Sequence, residues 1–459
     1  MLLRDPSSFR DNFGFVFWTG GHVYRQINPA GKAAYDQLME SGLHAQLVKL
    51  GLMVNHEEVD PDSLKITGAY KVIQPQLVPF ISYPYEWSFS QMKDGALATL
   101  RVQKLALEHG MMLRDATAYN VQFVEGRPRL IDTLSFDKYV PGEAWVAYRQ
   151  FCQHFLAPLA LMSRVDPDLL QLMRVYIDGI PLPLASKLLP VKARLNFGLA
   201  THVNLHARFQ RRHEGTGQRA AASVSRESLI GLLDSLERTV RALRLNSVSK
   251  TEWGDYYDNT NYTDASFKEK ERIVGAMVNK VKPDSVLDLG ANDGTFSRVA
   301  AKAGALVVSA DIDPIAVESN YVRIRKEGEG RVLPLLIDLH NPSPALGWGN
   351  QERSSFSKRA RADMVLSLAL IHHLAISNNL PFGRIAEYFA SLGEWLVIEF
   401  VPKSDSKVKR LLSTREDIFP DYNPEGFEAA FGEHYEIRDQ QNVAGSERIM
   451  YLMQRKGAR

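Results

Sequence analysis

The stretch VLDLGANDGTFSRVA, residues 286–300, decides the fold of the C-terminal part of the chain. An apolar strand ends near Asp288 and continues through Gly290, a short turn and Gly294 into a predicted helix. Glycines let a backbone approach a ligand closely, and a helix start presents free N–H groups and the positive end of its dipole. The sequence therefore predicts a ligand-binding turn between a strand and a helix.

Strand-like and helix-like segments alternate regularly after this turn. The strands VVSAD, VLPLLID, MVLSLAL and EWLVIEF are continuous apolar runs, and helix-like segments lie among them at 296–302, 316–326 and 382–392. Such runs predict a parallel sheet that is covered on both faces. HYEIRD and RIMYLMQR would add two terminal strands, one of them antiparallel. We therefore predict a doubly wound α/β domain with a mostly parallel, seven-stranded sheet.

Acidic side chains accompany three successive strands of this predicted sheet. Asp288 belongs to the first strand, Asp311 ends the second and Asp338 follows the third. Open parallel sheets bind their ligands at the carboxyl ends of the strands, and a carboxylate at the end of the second can accept hydrogen bonds from ribose hydroxyls. Each aspartate could instead cap a helix or form a turn. Three of them in consecutive positions favour a nucleoside site.

The pattern D-x-G-x-x-x-G at this place resembles motif I of the class I S-adenosylmethionine-dependent methyltransferases, whereas dinucleotide-binding domains use G-x-G-x-x-G. The resemblance implies a Rossmann-like methyltransferase domain that binds S-adenosylmethionine. By the same resemblance, the methionine part of the cofactor meets the glycine turn, the ribose meets Asp311 and the adenine meets Asp338. The cofactor residues that it implies are Asp288, Gly290, Asn292, Gly294, Asp311, Ile312, Asp338 and Leu339.

The acceptor side of the predicted site offers three candidate catalytic residues. His372 and His373 follow the fourth strand, and a neutral imidazole can take a proton from a hydroxyl group, although two adjacent histidines at a helix start can also be ordinary residues. Glu399 ends the fifth strand, where an ion pair with Lys403 is the alternative. No N-P-P-Y or D-P-P-Y tetrapeptide follows the fourth strand. Amide- and adenine-methylating relatives use that tetrapeptide to hold a flat amino group. We therefore expect O-methylation of a small-molecule or glycan-type acceptor in preference to N-methylation of adenine or glutamine, with C-methylation or another acceptor still open.

An aromatic segment, EWGDYYDNTNYT at 252–263, precedes the predicted domain. Rings with polar tips suit a lid over a sulfonium through cation–π attraction and hydrogen bonds, and a docking surface between domains is an equally good interpretation. The rings belong to Trp253, Tyr256, Tyr257 and Tyr262. Upstream, the polar and basic stretch 205–226 predicts a linker. We thus expect domains at 1–204 and 227–459, the second with a helical and aromatic lead-in.

The N-terminal half contains MLRDATAYNVQFVEGRPRLIDTLSF at 112–136. In it, Asp115 and Asn120 stand in the spacing D-x-x-x-x-N, and Asp132 follows a predicted hairpin. This arrangement resembles the catalytic loop and metal-binding aspartate of the protein kinase and aminoglycoside phosphotransferase superfamily. It implies an α+β kinase-like domain in which Asp115 is the base and Asn120 and Asp132 hold magnesium for Mg-ATP.

The N-terminal half also departs from the kinase pattern. No G-x-G-x-x-G loop precedes it, and Asp132 is not followed by Phe-Gly. Arg25 stands where a kinase has its nucleotide-binding lysine, with Glu40 as the expected partner, and arginine is not an equivalent replacement. These departures favour a kinase-like fold that binds a ligand without transferring phosphate.

The whole chain resembles a bacterial family of two-domain proteins labelled as nodulation-type methyltransferases, which implies modification of a glycan or a signal molecule. The resemblance spans nearly the full length, through PFISYPYEWSFSQM, LRDATAYNVQF, AYRQFCQHFLAPLALMS, DGIPLPLASKLLP, EWGDYY and LALIHHLAISNN. Two alternatives stay open. One is a phosphotransferase or nucleotide-binding protein fused to a methyltransferase-fold module, and the other is a binding module without chemistry.

Composition sets the wider limits. The chain is 45% hydrophobic and 24% charged with a net charge of +2, so no clear nucleic-acid partner is indicated outside the basic stretch 208–219.

Cys152, the only cysteine, lies in an apolar helical pattern with Pro158, which predicts a buried thiol and a helix interrupted at the proline. The N-terminus lacks a signal-peptide pattern and no apolar run is long enough to span a membrane, so we expect a cytoplasmic protein. The oligomeric state is not indicated.

Overall fold

The structure, a computed structural model, describes residues 3–194, 196–205, 223–245 and 264–457. These residues form two compact units. The first unit contains the described residues of Met1–Ser247 and Ala345–Ser354, and the second contains those of Val248–Pro344 and Ser355–Arg459. The aromatic segment 252–263, the basic stretch 208–219 and most of the predicted linker 205–226 lie outside the described residues.

A five-stranded antiparallel sheet opens the first unit. Its strands lie in the order β1-β2-β3-β5-β4. They are β1 (Leu3–Arg4), β2 (Gly14–Thr19), β3 (His22–Ile27), β4 (His56–Val59) and β5 (Lys71–Pro75). A two-residue turn of Gly20 and Gly21 joins β2 to β3, because Thr19 pairs with His22 and both glycines have positive φ. Arg25 therefore lies within β3.

Two short antiparallel strand pairs follow this sheet. They are β6 (Met111–Leu113) with β9 (Phe136–Lys138), and β7 (Val121–Val124) with β8 (Arg127–Leu130). Glu125 and Gly126 form the turn between β7 and β8, and both have positive φ, as a two-residue hairpin of this type requires. The kinase-like motif thus occupies the ends of these short strands.

The longest helix of the first unit, Phe89–Glu108, begins at a capping box. The Ser88 hydroxyl accepts from the backbone N–H of Gln91 at 3.3 Å, and the backbone N–H of Ser88 donates to the Gln91 side chain at 2.9 Å. The α-helices of this unit are α1 (Lys32–Glu40), α2 (Leu43–Lys49), α3 (Phe89–Glu108), α4 (Tyr148–Phe151), α5 (Ala157–Arg164), α6 (Leu172–Val175), α7 (Leu182–Leu188), α8 (Val191–Arg194), α9 (Phe197–Leu199) and α10 (Arg226–Ala242). Short 3-10 turns lie at Pro29–Gly31, Pro61–Leu64, Pro84–Glu86, Ala118–Asn120, Pro167–Gln171 and Trp348–Asn350, and a π-helical segment covers Ala200–Leu205.

The predicted irregularity at Pro158 is a π-helical segment. It covers Cys152–Leu156 and runs directly into α5, in which Pro158 stands in the first turn. A proline has no N–H to continue the hydrogen-bond ladder, which accounts for an irregular turn at this place. Cys152 is a free, fully buried thiol, as its apolar surroundings in the sequence predict.

Helix α10 packs against α3 in the first unit. Lys104 on α3 forms ion pairs with Asp234 and Glu237 on α10, each at 2.6 Å. Lys93 Nζ donates to the carbonyl of Leu243, just after α10, at 2.7 Å. This helix lies within the first unit and not in the domain expected at 227–459. An amphipathic helix next to a linker does not disclose in its sequence which surface covers its apolar face.

A short segment from the sequence of the second domain, residues 345–354, also belongs to the first unit. The almost completely buried carboxylate of Glu352 accepts from Arg10 Nε at 2.9 Å and from Arg10 Nη2 at 2.6 Å. The guanidinium of Arg353 lies 4.0 Å from the centre of the Tyr119 ring, and Ser354 N donates to the Tyr83 hydroxyl at 2.9 Å. We call residues 345–354 the inserted segment.

A seven-stranded sheet forms the second unit, in the order β12-β11-β10-β13-β14-β16-β15. Its strands are β10 (Ser285–Leu289), β11 (Leu306–Asp311), β12 (Val332–Leu336), β13 (Ala362–Ser367), β14 (Gly393–Phe400), β15 (Tyr435–Asn442) and β16 (Ile449–Arg455). The neighbours from β12 to β14 pair in parallel, and β16 is antiparallel to both β14 and β15. The predicted α/β class is confirmed for this part of the chain.

The helices of the second unit connect these strands. They are α11 (Asp264–Val281), α12 (Thr295–Lys302), α13 (Pro314–Glu327), α14 (Phe356–Arg359), α15 (Phe382–Leu392), α16 (Ser406–Leu412) and α17 (Pro424–Gly432), with a π-helical segment at His373–Ser377. Apolar strand residues such as Val286, Leu366, Val397 and Leu452 are buried in one core with Ile273 of α11. Because β10 to β13 are parallel, their carboxyl ends lie at one edge of the sheet.

Within the described residues, every helix is too short or too polar to cross a lipid bilayer.

Candidate cofactor site

A cavity of about 310 Å³ opens at the carboxyl ends of β10, β11, β12 and β13. Seven of the eight predicted cofactor residues line it: Asp288, Gly290, Asn292, Asp311, Ile312, Asp338 and Leu339. Gly294 does not line the cavity and instead directly precedes α12. The fold therefore brings residues from three successive strand ends together around one cleft.

The two glycines of the turn have separate roles. Gly290 has a φ of +74°, and a Cβ at this position would lie 3.2 Å from Leu370 Cδ1 in the cavity wall. Gly294 has a φ of +78°, and a Cβ there would collide with the amide of Asn320 on α13. Gly290 therefore keeps the cleft open, whereas Gly294 lets the start of α12 approach α13.

A buried chain of polar side chains holds the floor of the cleft. Ser297 Oγ on α12 donates to Asp288 Oδ2 at 2.6 Å and lies 2.9 Å from Ser309 Oγ on β11. Asn320 Nδ2 on α13 donates to the same Ser309 hydroxyl at 2.9 Å. This network joins two strands to two helices below the glycine turn, so the position of Asp288 is fixed from several sides.

Asp311 connects the end of β11 to the glycine turn. Its Oδ2 accepts from the backbone N–H of Asn292 at 2.7 Å, and its Oδ1 accepts from the backbone N–H of Asp313 at 2.9 Å. Asn292 has a φ of +51°, a conformation that asparagine tolerates better than most residues. Asp313 caps α13 by accepting from Ile315 N at 2.7 Å. Asp311 thus takes part in a turn with Asp313, and it also lies in the cavity wall.

Burial makes the two central carboxylates unusually easy to protonate. Loss of solvent raises the pKa of Asp288 to about 7, a rise that the Ser297 hydrogen bond opposes and the nearby Asp311 increases. Loss of solvent also raises the pKa of Asp311 to about 6, although backbone hydrogen bonds favour its charged form. Their charged forms lack solvent, so a cation or hydrogen-bond donors placed between the two carboxylates would stabilise the charged forms.

Asp338 combines a local turn with a place in the cavity. Its Oδ1 accepts from the backbone N–H of His340 at 2.8 Å, as in an Asx turn. The residue nevertheless lines the cavity beside Ile337 and Leu339. The two interpretations of Asp338 are thus compatible with each other.

The two candidate histidines occupy different environments. His373 lines the cavity, and burial together with the cations Lys407 and Arg448 lowers its pKa to about 4. His372 is buried behind it and does not line the cavity, and its pKa also falls well below the ordinary value because of burial. The two rings lie 4.1 Å apart. Of these two histidines, only His373 therefore lines the cavity.

Glu399 is fully buried behind the cavity and does not line it. Its carboxylate pairs with Lys270 Nζ at 2.6 Å and with Arg448 Nη1 at 3.3 Å. The alternative pairing with Lys403 is wrong, because Lys403 forms its ion pair with Asp417 at 2.7 Å. Glu399 thus pairs with a residue of the cavity wall, Lys270.

Several residues that line the cavity were not predicted. Lys270 and Phe267 come from α11, and Lys270 Nζ lies 4.7 Å from the centre of the Phe296 ring. Burial lowers the pKa of Lys270, while Glu399 favours its charged form. The loop after β13 contributes Ala369, which has the unusual φ of +52° for a residue with a side chain. No sequence signal marks Lys270, because α11 also carries Lys268 and Lys280 and nothing in the sequence distinguishes the three lysines.

In the first unit, the three kinase-like motif residues do come together. The Asp115 carboxylate is hydrogen-bonded by the Asn120 side chain, and burial raises its pKa, with a further contribution from the negative charge of Asp132. Arg25 pairs with Asp132 through Nη1 and Oδ1 at 2.8 Å, whereas Glu40 is exposed at the end of α1. The expected pairing of Arg25 with Glu40 is therefore replaced by an ion pair with the predicted metal ligand.

The contacts of these residues do not fit a magnesium site. Asp132 Oδ1 is held by Arg25 and also accepts from Leu134 N at 2.8 Å, and Asn120 Nδ2 donates to Ser135 Oγ at 2.9 Å. In the part of the chain that the structure describes, no group of three or more His, Cys, Asp or Glu side chains is arranged to hold a metal ion. The Arg25 guanidinium already neutralises the carboxylate that would bind the cation.

Comparison with known proteins gives one close relative. The chain is 35% identical over 460 residues to the nodulation protein NoeA of Rhizobium meliloti (strain 1021), and the alignment covers 98% of this chain and 96% of that protein. No protein-family model matches the chain.

The solved structures that are similar to part of the chain include two methyltransferases. Magnesium protoporphyrin IX methyltransferase (ChlM) from Synechocystis PCC 6803, with bound SAH, is 18% identical, covers 42% of this chain and 84% of its own, and has a TM-score of 0.31. The N-methyltransferase NodS from Bradyrhizobium japonicum WM9 is 10% identical, covers 42% of this chain and 97% of its own, and has a TM-score of 0.32. The full-length sequence relationship decides the family: this chain belongs to the family of the nodulation protein NoeA.

Proposed function

We propose that this protein is an S-adenosylmethionine-dependent methyltransferase that methylates an oxygen atom of a small-molecule or glycan-type acceptor. The observation that carries the proposal is the convergence of Asp288, Asp311 and Asp338 with Gly290 in one cavity at the carboxyl edge of the parallel strands. Open parallel sheets bind nucleotide-like ligands at this edge. The relative that matches nearly the whole chain is a nodulation protein.

The side chains in the cavity fit the chemical groups of the cofactor. The Asp311 carboxylate at the end of β11 suits the two ribose hydroxyls, and Asp338 after β12 suits the amino group of an adenine. Asp288, buried between them and the glycine turn, favours the positively charged end of the molecule. Bound S-adenosylmethionine supplies a methyl group on a positively charged sulfur. The protein has to bind this group, exclude water and align the acceptor.

His373 is the residue best placed to receive a proton from the acceptor. It lines the cavity, and its lowered pKa keeps the imidazole neutral near pH 7, so that a ring nitrogen can accept a hydrogen bond from a hydroxyl. The same low pKa makes His373 a weak base, so its contribution is to orient the hydroxyl and take its proton only as the oxygen becomes methylated. His372 supports this ring from behind.

For the first unit, we propose a kinase-like fold that binds the acceptor or a nucleotide without transferring phosphate. The antiparallel sheet and the cluster of Asp115, Asn120 and Asp132 support the likeness. The ion pair of Arg25 with Asp132 argues against magnesium-dependent chemistry. A phosphotransferase is the rival function, and it requires that this ion pair opens when Mg-ATP binds.

The proposed function is tested by binding and by transfer. Titration with S-adenosylmethionine and with S-adenosylhomocysteine should raise the melting temperature of the full-length protein, because both ligands bind the folded state. Incubation of a metabolite extract with methyl-labelled cofactor should then transfer the label to a compound that mass spectrometry can identify. Binding without any labelled product would favour a binding module, and absence of binding would contradict the proposal.

A further inference from the structure

Lys270 is the one lysine or arginine among the described residues that line the cavity. The other charged groups in the wall are the carboxylates Asp288, Asp311 and Asp338. The lysine side chain is only 3% exposed, so its ammonium has been removed from bulk water. A buried charge of this kind needs a partner on every side where water is missing.

The ammonium of Lys270 is held in place from behind. Glu399 pairs with it at 2.6 Å, Arg448 pairs with Glu399 at 3.3 Å, and Asp405 pairs with Arg448 at 2.8 Å. This row of alternating charges ties α11 to the end of β14 and to the turn before β16. The row fixes the depth at which the ammonium meets the cavity.

The amino-acid end of the proposed cofactor carries a carboxylate as well as an ammonium group. Three aspartates in the wall would repel that carboxylate, and a buried carboxylate without a donor is costly. A lysine ammonium carries three N–H donors, so it can bind Glu399 and a ligand carboxylate at the same time. Lys270 is therefore the cation that the ligand carboxylate requires.

We propose, on the basis of the proposed function, that Lys270 binds the carboxylate of the methionine part of the cofactor. Glu399 is then a positioning residue, which orients the Lys270 ammonium toward the cavity and does not touch the acceptor. This assignment replaces a direct catalytic role for Glu399. The alternative is that Lys270 only neutralises Glu399 and makes no contact with a ligand.

The experiment compares two ligands that differ in one group. S-adenosylhomocysteine has the carboxylate, and S-adenosyl-3-thiopropylamine is the same molecule without it. We expect the full-length wild-type protein to bind S-adenosylhomocysteine about tenfold to a hundredfold more tightly in isothermal titration, because a charge-assisted hydrogen bond is lost with the carboxylate. Equal affinity of the wild-type protein for the two ligands would overturn the inference. The same result would leave the proposed function intact, because both ligands would still bind.

Substitution of the lysine locates the effect. Lys270→Met should reduce the preference for the carboxylate to about threefold or less, whereas Lys270→Arg should retain most of it. Lys268→Met, on the exposed side of the same helix, is the matched control and should keep the wild-type preference. If Lys270→Met keeps the preference, or weakens both ligands to the same extent, Lys270 does not bind the carboxylate. If the wild-type protein binds neither ligand, the inference and the proposed function both fail.

Discussion

The backbone N–H of Asn292 donates to Asp311 Oδ2 at 2.7 Å, so the glycine turn after β10 is fastened to the end of β11. The two segments that would hold the methionine part and the ribose of the cofactor are thus one structural element. A change at Asp311 should affect both the ligand contacts and the geometry of the turn.

Asp311→Ala should weaken binding of S-adenosylhomocysteine by about tenfold to a hundredfold, since hydrogen bonds to a charged group are lost. Isothermal titration of the full-length protein measures the change. The matched control is Asp363→Ala, because Asp363 also accepts from a backbone N–H, that of Ser285 at 2.9 Å, but at the opposite edge of the sheet. Wild-type affinity in Asp311→Ala would show that the ribose assignment is wrong.

Gly290→Arg should abolish detectable cofactor binding, because the new side chain begins at the cavity wall beside Leu370. Gly304→Arg is the control: Gly304 also has a positive φ, of +106°, but a Cβ there meets no atom within 4 Å. Both variants should lose about 1 kcal/mol of stability from backbone strain. Thermal unfolding measures this loss, and titration separates it from the loss of binding. Normal binding by Gly290→Arg would contradict the placement of the cofactor.

The affinity for S-adenosylmethionine should fall as the pH is lowered through the range from about 8 to about 5. Burial raises the pKa of Asp288 to about 7 and that of Asp311 to about 6, and protonation removes the negative charges that hold the ligand. The loss should approach about tenfold per pH unit for each group that must be ionised. Asp288→Asn should flatten the curve, and an unchanged affinity across the range would rule out ionised carboxylates as ligand contacts.

The same two groups determine how the ligand-free protein responds to pH. Their pKa values are higher in the folded protein than in the unfolded chain, so the folded state binds more protons between about pH 4 and about pH 7. Their contribution to the free energy of unfolding is therefore most favourable below pH 4 and is lost as the pH rises through the folded pKa values. Urea unfolding of wild type and Asp288→Asn measures it, and the wild type should lose more stability over this interval.

His373→Ala should lower the rate of labelled methyl transfer about a hundredfold, as expected for loss of a group that receives a proton. Its affinity for S-adenosylhomocysteine should stay within about threefold of wild type, because the histidine serves the acceptor side. His434→Ala, outside the cavity lining, is the control. A large loss of cofactor affinity with an unchanged transfer rate would reverse the assignment.

Magnesium should not add to the effect of ATP on the melting temperature of the wild-type protein, because the Arg25 guanidinium is paired with Asp132. Thermal shift with Mg-ATP, compared with ATP and a chelator, is the measurement. Arg25→Met would remove the ion pair and leave the Asp132 carboxylate in place. Asp132→Asn is the control that removes the carboxylate itself. Magnesium-dependent ATP binding by the wild type that is lost in Asp132→Asn would establish the rival phosphotransferase function.

The fold and the candidate site were most predictable where neighbouring residues of one short segment form both a strand and a ligand-binding turn. The apolar strand, Gly290 and Asp288 follow each other directly, and Asp311 ends the next apolar run, so a parallel arrangement of strands brings them together without further information. The hairpin turns at Gly20 and at Glu125 were predictable for the same reason, since both depend on adjacent residues that accept positive φ.

Contacts between distant parts of the chain were not predictable. Glu399 was paired in the sequence with the nearby Lys403, but its partner is Lys270, on a helix that precedes the sheet. Arg25 on β3 pairs with Asp132, which follows β8, whereas Glu40 is exposed at the end of α1. Charge pairing depends on tertiary geometry, and many lysines and glutamates offer equally good partners in the sequence.

The inserted segment limits how the molecule can be divided. A fragment that ends at residue 247 lacks Glu352 and Arg353. It therefore loses the ion pair of Arg10 with Glu352 and the cation–π contact of Arg353 with Tyr119. A fragment that begins after residue 247 contains Glu352 but lacks the part of the first unit that buries its side chain in the intact chain. No single break in the polypeptide yields both halves complete. Genetic dissection of this protein should therefore rely on substitutions in the intact chain, and an inactive truncation product would say little about either half.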